Sequence, residues 1–143
     1  MPRKISAGGS FWITLALLTL ILPLNWLLAA LLAAAFHELG HLVFLSFFAV
    51  PVYGLRIRAG GAILDTGTME PREELICALA GPAASFLLFA MVRIFPRLAL
   101  CALIQGAFNM LPLGGLDGAR AARSAFCLMR GKSPCKQGKM RVQ

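Results

Sequence analysis

Acidic residues are scarce in this chain of 143: six Asp and Glu stand against fourteen Lys and Arg, and charged residues of either sign make up only 14%. Hydrophobic residues account for 59%, and mean hydropathy is +0.77. Too little polar surface remains to clothe a soluble globule, so lipid is the expected solvent for most of the chain. Histidine is rarer still, with two in the chain, His37 and His41. Any metal site must therefore draw on that pair and on very few carboxylates. The four cysteines, Cys77, Cys101, Cys127 and Cys135, lack paired spacing, which argues against disulfides and against a cysteine zinc site. Cys77 and Cys101 fall in apolar runs, where Cys is commonly a small buried hydrophobe.

The net charge of +8 raises the question of nucleic acid, but seven of the fourteen basic residues lie between Arg120 and Arg141, where Phe126 is the one aromatic residue. A base-stacking surface is not indicated, and no nucleic-acid partner is expected. A cytoplasmic basic tail facing the lipid headgroups accounts for the charge more simply.

Long apolar runs are what the chain does have. Arg3 and Lys4 before the first run give the outline of a signal peptide. No small-residue cleavage site ends a short apolar stretch there, so a retained first membrane helix is expected, from about Ile5 or Ser10 to Leu22. The run from Phe11 to Val50 is 40 residues, too long for one span, and Pro23, Leu24 and Asn25 form its natural break. Trp26 suits an interfacial anchor for a second helix that ends at about Phe48, before Pro51. Between Val52 and Thr68, Leu55-Arg56-Ile57-Arg58 alternates, Gly60-Gly61 supplies a turn and Ala62-Ile63-Leu64 follows, which reads as a β-hairpin; the alternative is an ordinary cytoplasmic loop. Pro71 fits the first turn of a third helix with Glu73 and Glu74 where the helix dipole favours anions, and these carboxylates read as helix-start and interface residues. That helix continues to about Val92, and Gly81-Pro82 within it should allow close packing and a kink. A fourth apolar segment runs from Leu98, uncharged, to Asp117. An amphipathic helix is expected after Arg120, then a polar, flexible stretch from Lys132 to Gln143.

The expected fold is thus an all-α polytopic membrane protein of about four transmembrane helices, with a short membrane-associated β-hairpin between the second and third. Residues 1–131 form the membrane-embedded core and 132–143 a basic cytoplasmic tail. With four spans, both termini and the 51–74 loop share one side and carry 12 of the 14 basic residues, so the positive-inside rule places the termini in the cytoplasm.

Inside the second helix stands His37-Glu38-Leu39-Gly40-His41, the H-E-x-x-H pattern. Residues four apart on an α-helix lie on nearly the same face, so both imidazoles can reach one metal ion, with Glu38 beside it as general base towards water. Helix-surface or helix-pair histidines are the alternative. Three polar groups at bilayer depth, however, are costly unless they face a partner or a cavity, and intramembrane ionisable residues mark function. Zinc held by two histidines needs a further protein ligand. Asp65, Glu70, Glu73, Glu74 and Asp117 are the available carboxylates, and Asp117, closing a membrane segment, is the best placed.

Asn109-Met110-Leu111-Pro112-Leu113-Gly114-Gly115-Leu116-Asp117-Gly118 has the form N-x-x-P-x-x-x-x-D-G. Together with Phe36-His37-Glu38-Leu39-Gly40-His41, and with the Gly81-Pro82 helix between them, it resembles the site-2 protease family of intramembrane zinc metalloproteases over roughly Phe11 to Arg130. The compact layout looks most like the bacterial branch that includes the sporulation protease acting on a pro-sigma factor. The resemblance implies that His37, His41 and Asp117 bind Zn2+, that Glu38 activates water, and that Asn109 holds substrate backbone or stabilises the oxyanion; a helix–helix hydrogen bond is the alternative for Asn109. It also implies a substrate paired to the hairpin by strand addition, because a helix hides its peptide bonds until it unwinds. Two departures stand out. Ser85 occupies a position three residues after Gly-Pro where many members have Asn, and 143 residues leave no room for the C-terminal regulatory domain frequent in the sporulation branch.

The expected activity is therefore hydrolysis of a peptide bond in or near a transmembrane segment of a membrane-bound substrate, such as a pro-sigma or anti-sigma factor, in a bacterial cell membrane. The lipid bilayer is the medium, and a regulatory membrane partner or a homo-oligomer is a further expectation. The competing reading is a non-proteolytic membrane regulator or a metal-handling protein on the same scaffold. Intact ligands and an intact base argue against the first, and the lack of polar pore residues against the second.

Overall fold

A computed structural model describes residues 4–58, 61–113, 115–130 and 141–142. The elements follow in the order β1 (Lys4–Ala7), α1 (Gly9–Ile21), α2 (Leu24–Phe47), β2 (Val52–Arg58), β3 (Gly61–Thr66), α3 (Pro71–Phe89), α4 (Pro96–Asn109), α5 (Asp117–Met129) and β4 (Arg141–Val142). Helices α2 to α5 pack into a bundle, with the β2–β3 hairpin between α2 and α3 as expected.

Local chemistry explains where the helices stop. Leu22, at the end of α1, has ψ 137°, the extended conformation imposed on a residue preceding proline. Helix α2 closes with paired backbone bonds, Ala49 N–H to the Ser46 carbonyl at 3.1 Å and Val50 N–H to the Leu45 carbonyl at 2.9 Å, while Ala49 takes the left-handed φ of 52°. This is a Schellman motif with alanine where glycine is usual. Val50 also packs on the cluster of Leu45, Leu64, Met69 and Cys77, which ties the end of α2 to the hairpin and to α3. Pro71 starts α3, and the Glu70 N–H donates to the Glu73 carboxylate at 2.9 Å.

The sheet is larger than the hairpin alone, with strand order β1-β2-β3-β4. Strand β1 pairs parallel to β2, from Lys4 opposite Gly54 to Ala7 opposite Ile57, and β4 pairs antiparallel to β3. Lys4–Ala7, the hairpin and Arg141–Val142 therefore lie together at one end of the bundle. Arg56 and Asp65 form an ion pair across the hairpin at 2.6 Å.

Deeper in the bundle the contacts are made by small residues. Ala33 of α2, Leu88 of α3 and Ala102 of α4 form a second buried cluster. A Cβ on Gly40 would lie 2.6 Å from the Ala80 carbonyl and 2.8 Å from the Ala84 side chain, so α2 and α3 approach more closely there than any larger residue allows. Outside that contact an apolar groove of about 850 Å³ runs between the two helices, flanked by Phe36, Val43, Ala84 and Leu87.

Among the described residues one helix, α2, is long and apolar enough to cross a membrane; its 24 residues span about 36 Å at 1.5 Å per residue, against a hydrocarbon core of about 30 Å. Its outer face is apolar, with Leu24 70% and Phe47 81% exposed. Helix α1, Gly9–Ile21, agrees with the later of its two expected starts, Ser10, because Lys4–Ala7 joins the sheet. The helices after α2 differ from the sequence-based expectation. Helix α3 ends at Phe89, short of Val92. The fourth apolar segment is not continuous: α4 has 14 residues and stops at Asn109, ahead of Pro112, which has no N–H to donate, and Gly115, with φ 103°. The amphipathic helix begins at Asp117, ahead of the expected start after Arg120. The expectation of a flexible tail over 132–143 lies outside the described residues, apart from Arg141–Val142 in β4.

Candidate metal centre

His37 and His41 lie one turn apart on the inner face of α2, each 1% exposed, so the helical period brings both imidazoles to the same side. Their ring centroids are 5.1 Å apart. The Nε2 of each ring lies 3.1 Å from Oδ2 of Asp117, which is 1% exposed in the first turn of α5. One donor atom from each residue falls within 4.8 Å of the others, and the set is capable of holding a metal ion.

Three glycines make that convergence possible. A Cβ on Gly81 would stand 2.7 Å from His37 Nε2 and closer still to His41 Nε2, so α3 can pass over the imidazoles only with hydrogen at that position. A Cβ on Gly118 would strike the Met110 carbonyl, and Gly118 thus lets the start of α5 abut the end of α4 and carry Asp117 beside Asn109. Gly115 makes the turn between those helices with its positive φ.

The outer nitrogens of both rings are engaged. His41 Nδ1 lies 2.7 Å from the Cys77 carbonyl, a pure acceptor, so Nδ1 carries the proton and Nε2 presents its lone pair to the centre. His37 Nδ1 lies 2.9 Å from the Ser85 hydroxyl, which can accept from an Nδ1–H in the same sense. Outer contacts of this kind orient metal-binding histidines. Ligands about 2 Å from a shared zinc at tetrahedral angles stand roughly 3.3 Å apart, close to the 3.1 Å spacings found here. On donor chemistry, tautomer and spacing, the residues fit zinc.

The chain shares its fold with a solved site-2 protease. The match is to the structure of a site-2 protease from Methanocaldococcus jannaschii, with a TM-score of 0.74, 20% sequence identity, and coverage of 90% of this chain and 70% of that one. No family model and no curated protein matches the chain. At that identity the likeness concerns the arrangement of helices and sheet; the chemistry has to be read from the side chains.

Of the five site residues proposed from sequence, four meet directly. Asn109, at the last turn of α4, places its amide nitrogen 3.1 Å from His37 Nε2, on the same side as the metal-facing donors. Glu38 follows His37 on α2 and is half-buried. The remaining carboxylates divide: Asp65 pairs with Arg56 in the hairpin and Glu73 caps α3, whereas Glu74 is fully buried. Glu74 belongs to a layer behind Asp117 that sequence reasoning missed. Arg120 Nη1 donates to Asp117 Oδ1 at 3.2 Å, its Nε stands 3.9 Å from Glu74 Oε1, and the Ser124 hydroxyl donates to Glu74 Oε2 at 2.8 Å. The i, i+3 spacing of Asp117 and Arg120 was a usable signal for part of this layer. Ser85 also carried one, as a hydroxyl in an otherwise apolar helix. The Cys77 contact uses a backbone carbonyl and leaves no trace in residue identity.

Proposed function

We propose that the chain is an intramembrane zinc metalloprotease that hydrolyses a peptide bond in or near a transmembrane segment of a membrane-bound protein. The observation that carries this reading is the convergence of His37 Nε2, His41 Nε2 and Asp117 Oδ2, from two helices distant in sequence, with Glu38 adjoining them. His37 lies 13 residues into α2, about 20 Å from its start, which puts the site at bilayer depth if that helix spans.

His37, His41 and Asp117 would hold a zinc ion, which when bound would supply Lewis acidity and an activated water near neutral pH. The protein's own residues do the rest. Glu38 takes a proton from the attacking water and passes it to the leaving amine. The Asn109 amide donates to the scissile oxygen as negative charge develops there. Ser85 and the Cys77 carbonyl hold the imidazoles so that neither ring turns away during the reaction. The surrounding small-residue packing of α2, α3 and α4 keeps bulk water from the site, which strengthens each electrostatic contact within it.

In this reading α1, α3 and α4 join α2 in the bilayer, the short α1 and α4 thinning it locally, and the sheet lies on the cytoplasmic side of a bacterial cell membrane. The 19 residues of α3 reach about 28 Å, and Glu73 and Glu74 fall at its cytoplasmic end.

The test is cleavage of single-span model substrates by the purified chain in proteoliposomes, with zinc content measured on the same samples. Glu38→Gln should keep its zinc and lose cleavage by a factor on the order of 10² to 10⁴. Equal cleavage by that variant sinks the mechanism.

A further inference from the structure

The group behind Asp117 is costly unless it acts on something. Arg120 is 4% exposed, Glu74 0% and Ser124 1%, whereas Arg123 on the same helix and Arg130 at its C-cap are exposed. A guanidinium removed from water is costly unless well paired; Nη1 of Arg120 donates to Asp117, Nε and Nη2 have no hydrogen-bond partner among the described residues, and a surface position was available to this side chain. The chain of contacts runs from α3 to α5 and ends on the oxygen of Asp117 that does not face the histidines.

We propose that Arg120 and Glu74 are positioning residues for Asp117: Arg120 grips Oδ1 so that Oδ2 stays aimed between the two imidazoles, and Glu74 anchors Arg120. The inference deepens the metalloprotease reading and rests on it. Asp117 sits in the first turn of α5, where no preceding turn of its own helix packs against its side chain, so the freedom of its carboxylate to rotate is limited only by contacts from other groups. Capture of Oδ1 by a residue one turn later removes that freedom and leaves a single oxygen for the metal. Glu74 settles the charge. With Asp117 and Arg120 alone the pair is neutral, and the guanidinium competes with a metal for the carboxylate. With Glu74 added the group carries one net negative charge, which two neutral imidazoles and a divalent cation complement. Ser124, bonded to the second oxygen of Glu74, fixes the far end of the chain of contacts.

The test uses the full chain in detergent micelles, with zinc affinity measured by competition against a chromophoric chelator and the visible absorption of the Co2+-loaded protein as a probe of ligand geometry. Arg120→Gln and Glu74→Gln should each weaken zinc binding by roughly 10- to 100-fold and change the Co2+ spectrum. The double variant should lose no more than the worse single one, because the two residues act as one device. Arg120→Lys, which keeps a cation, should recover part of the loss. Ser124→Ala removes only the hydroxyl at the end of the chain of contacts and should give a smaller, severalfold loss with the fold retained, so it tests the idea even if the charge variants fail to fold. Folded Arg120→Gln with wild-type affinity and spectrum, or an unchanged Ser124→Ala where the charge variants do not fold, overturns this inference and leaves the metalloprotease reading standing. A wild-type chain that binds no zinc, or an Asp117→Ala variant that binds it as well as wild type, overturns both.

Discussion

The hydroxyl of Ser85 lies 2.9 Å from Nδ1 of His37, joining the middle of α3 to the inner face of α2. Ser85 is completely buried, so no surface role competes with this contact. Removing the hydroxyl takes away the hydrogen-bond partner of the outer nitrogen of His37 and leaves the ring freer to turn. Ser85→Ala is therefore expected to weaken zinc binding by about tenfold at the lower end of such outer-contact effects, with the helical circular dichroism unchanged. Chelator competition measures it, and an affinity within twofold of wild type would show the contact to be passive.

Gly81 offers a sharper steric test. Its Cα faces the two Nε2 atoms so closely that a methyl group must displace an imidazole or push α3 away. Gly81→Ala should abolish stoichiometric zinc binding while costing stability about 1 to 3 kcal/mol, the range for an overpacked interior. Zinc-to-protein ratio and unfolding in denaturant, measured on one preparation, separate the two effects. Full zinc occupancy in the variant would contradict the arrangement of α3 over the histidines.

Ala49 predicts a gain. At φ 52° it holds a conformation that costs an L-residue with a Cβ about 1 kcal/mol or more. Ala49→Gly should raise stability by roughly 0.5 to 1 kcal/mol after the extra freedom of glycine in the unfolded chain is set against the relief. Zinc affinity should not change, since the helix end is tied down by the Leu45 and Ser46 carbonyls in either case. Loss of stability in this variant would mean that α2 ends differently.

Metal removal gives a global readout. A ligand that binds only the folded chain stabilises it by about 2.7 kcal/mol when present at a hundred times its dissociation constant. Dialysis against a chelator should lower the unfolding midpoint, and zinc should restore it. His41→Ala should respond to neither treatment. A wild-type midpoint indifferent to both would remove metal from the account of this site.

Much of the architecture was legible because it is written locally. Pro23 fixes the conformation of Leu22, Pro71 opens α3, and the alternation around Gly60-Gly61 signals a hairpin, each through chemistry confined to a few neighbouring residues. The histidine pair follows from helical period alone. What escaped depends on partners far apart in the chain. Lys4–Ala7 is too short to announce a strand and becomes one only against β2, some fifty residues on. Glu74 read correctly as the start of a helix, and Arg120 read as the beginning of a basic tail; that the two meet in the interior depends on the packing of α3 against α5. The break of the fourth segment was signalled by Pro112, but a continuous apolar composition masked it.

The parallel pairing of β1 with β2 also dictates an order of events. The first strand leaves the ribosome before both α1 and α2, yet its partner is made only after them. No hairpin can form between adjacent parallel strands, so Lys4–Ala7 cannot pair with β2 until the two intervening helices have been synthesised. The β1–β2 pairing therefore requires that the α1–α2 unit has turned back on itself.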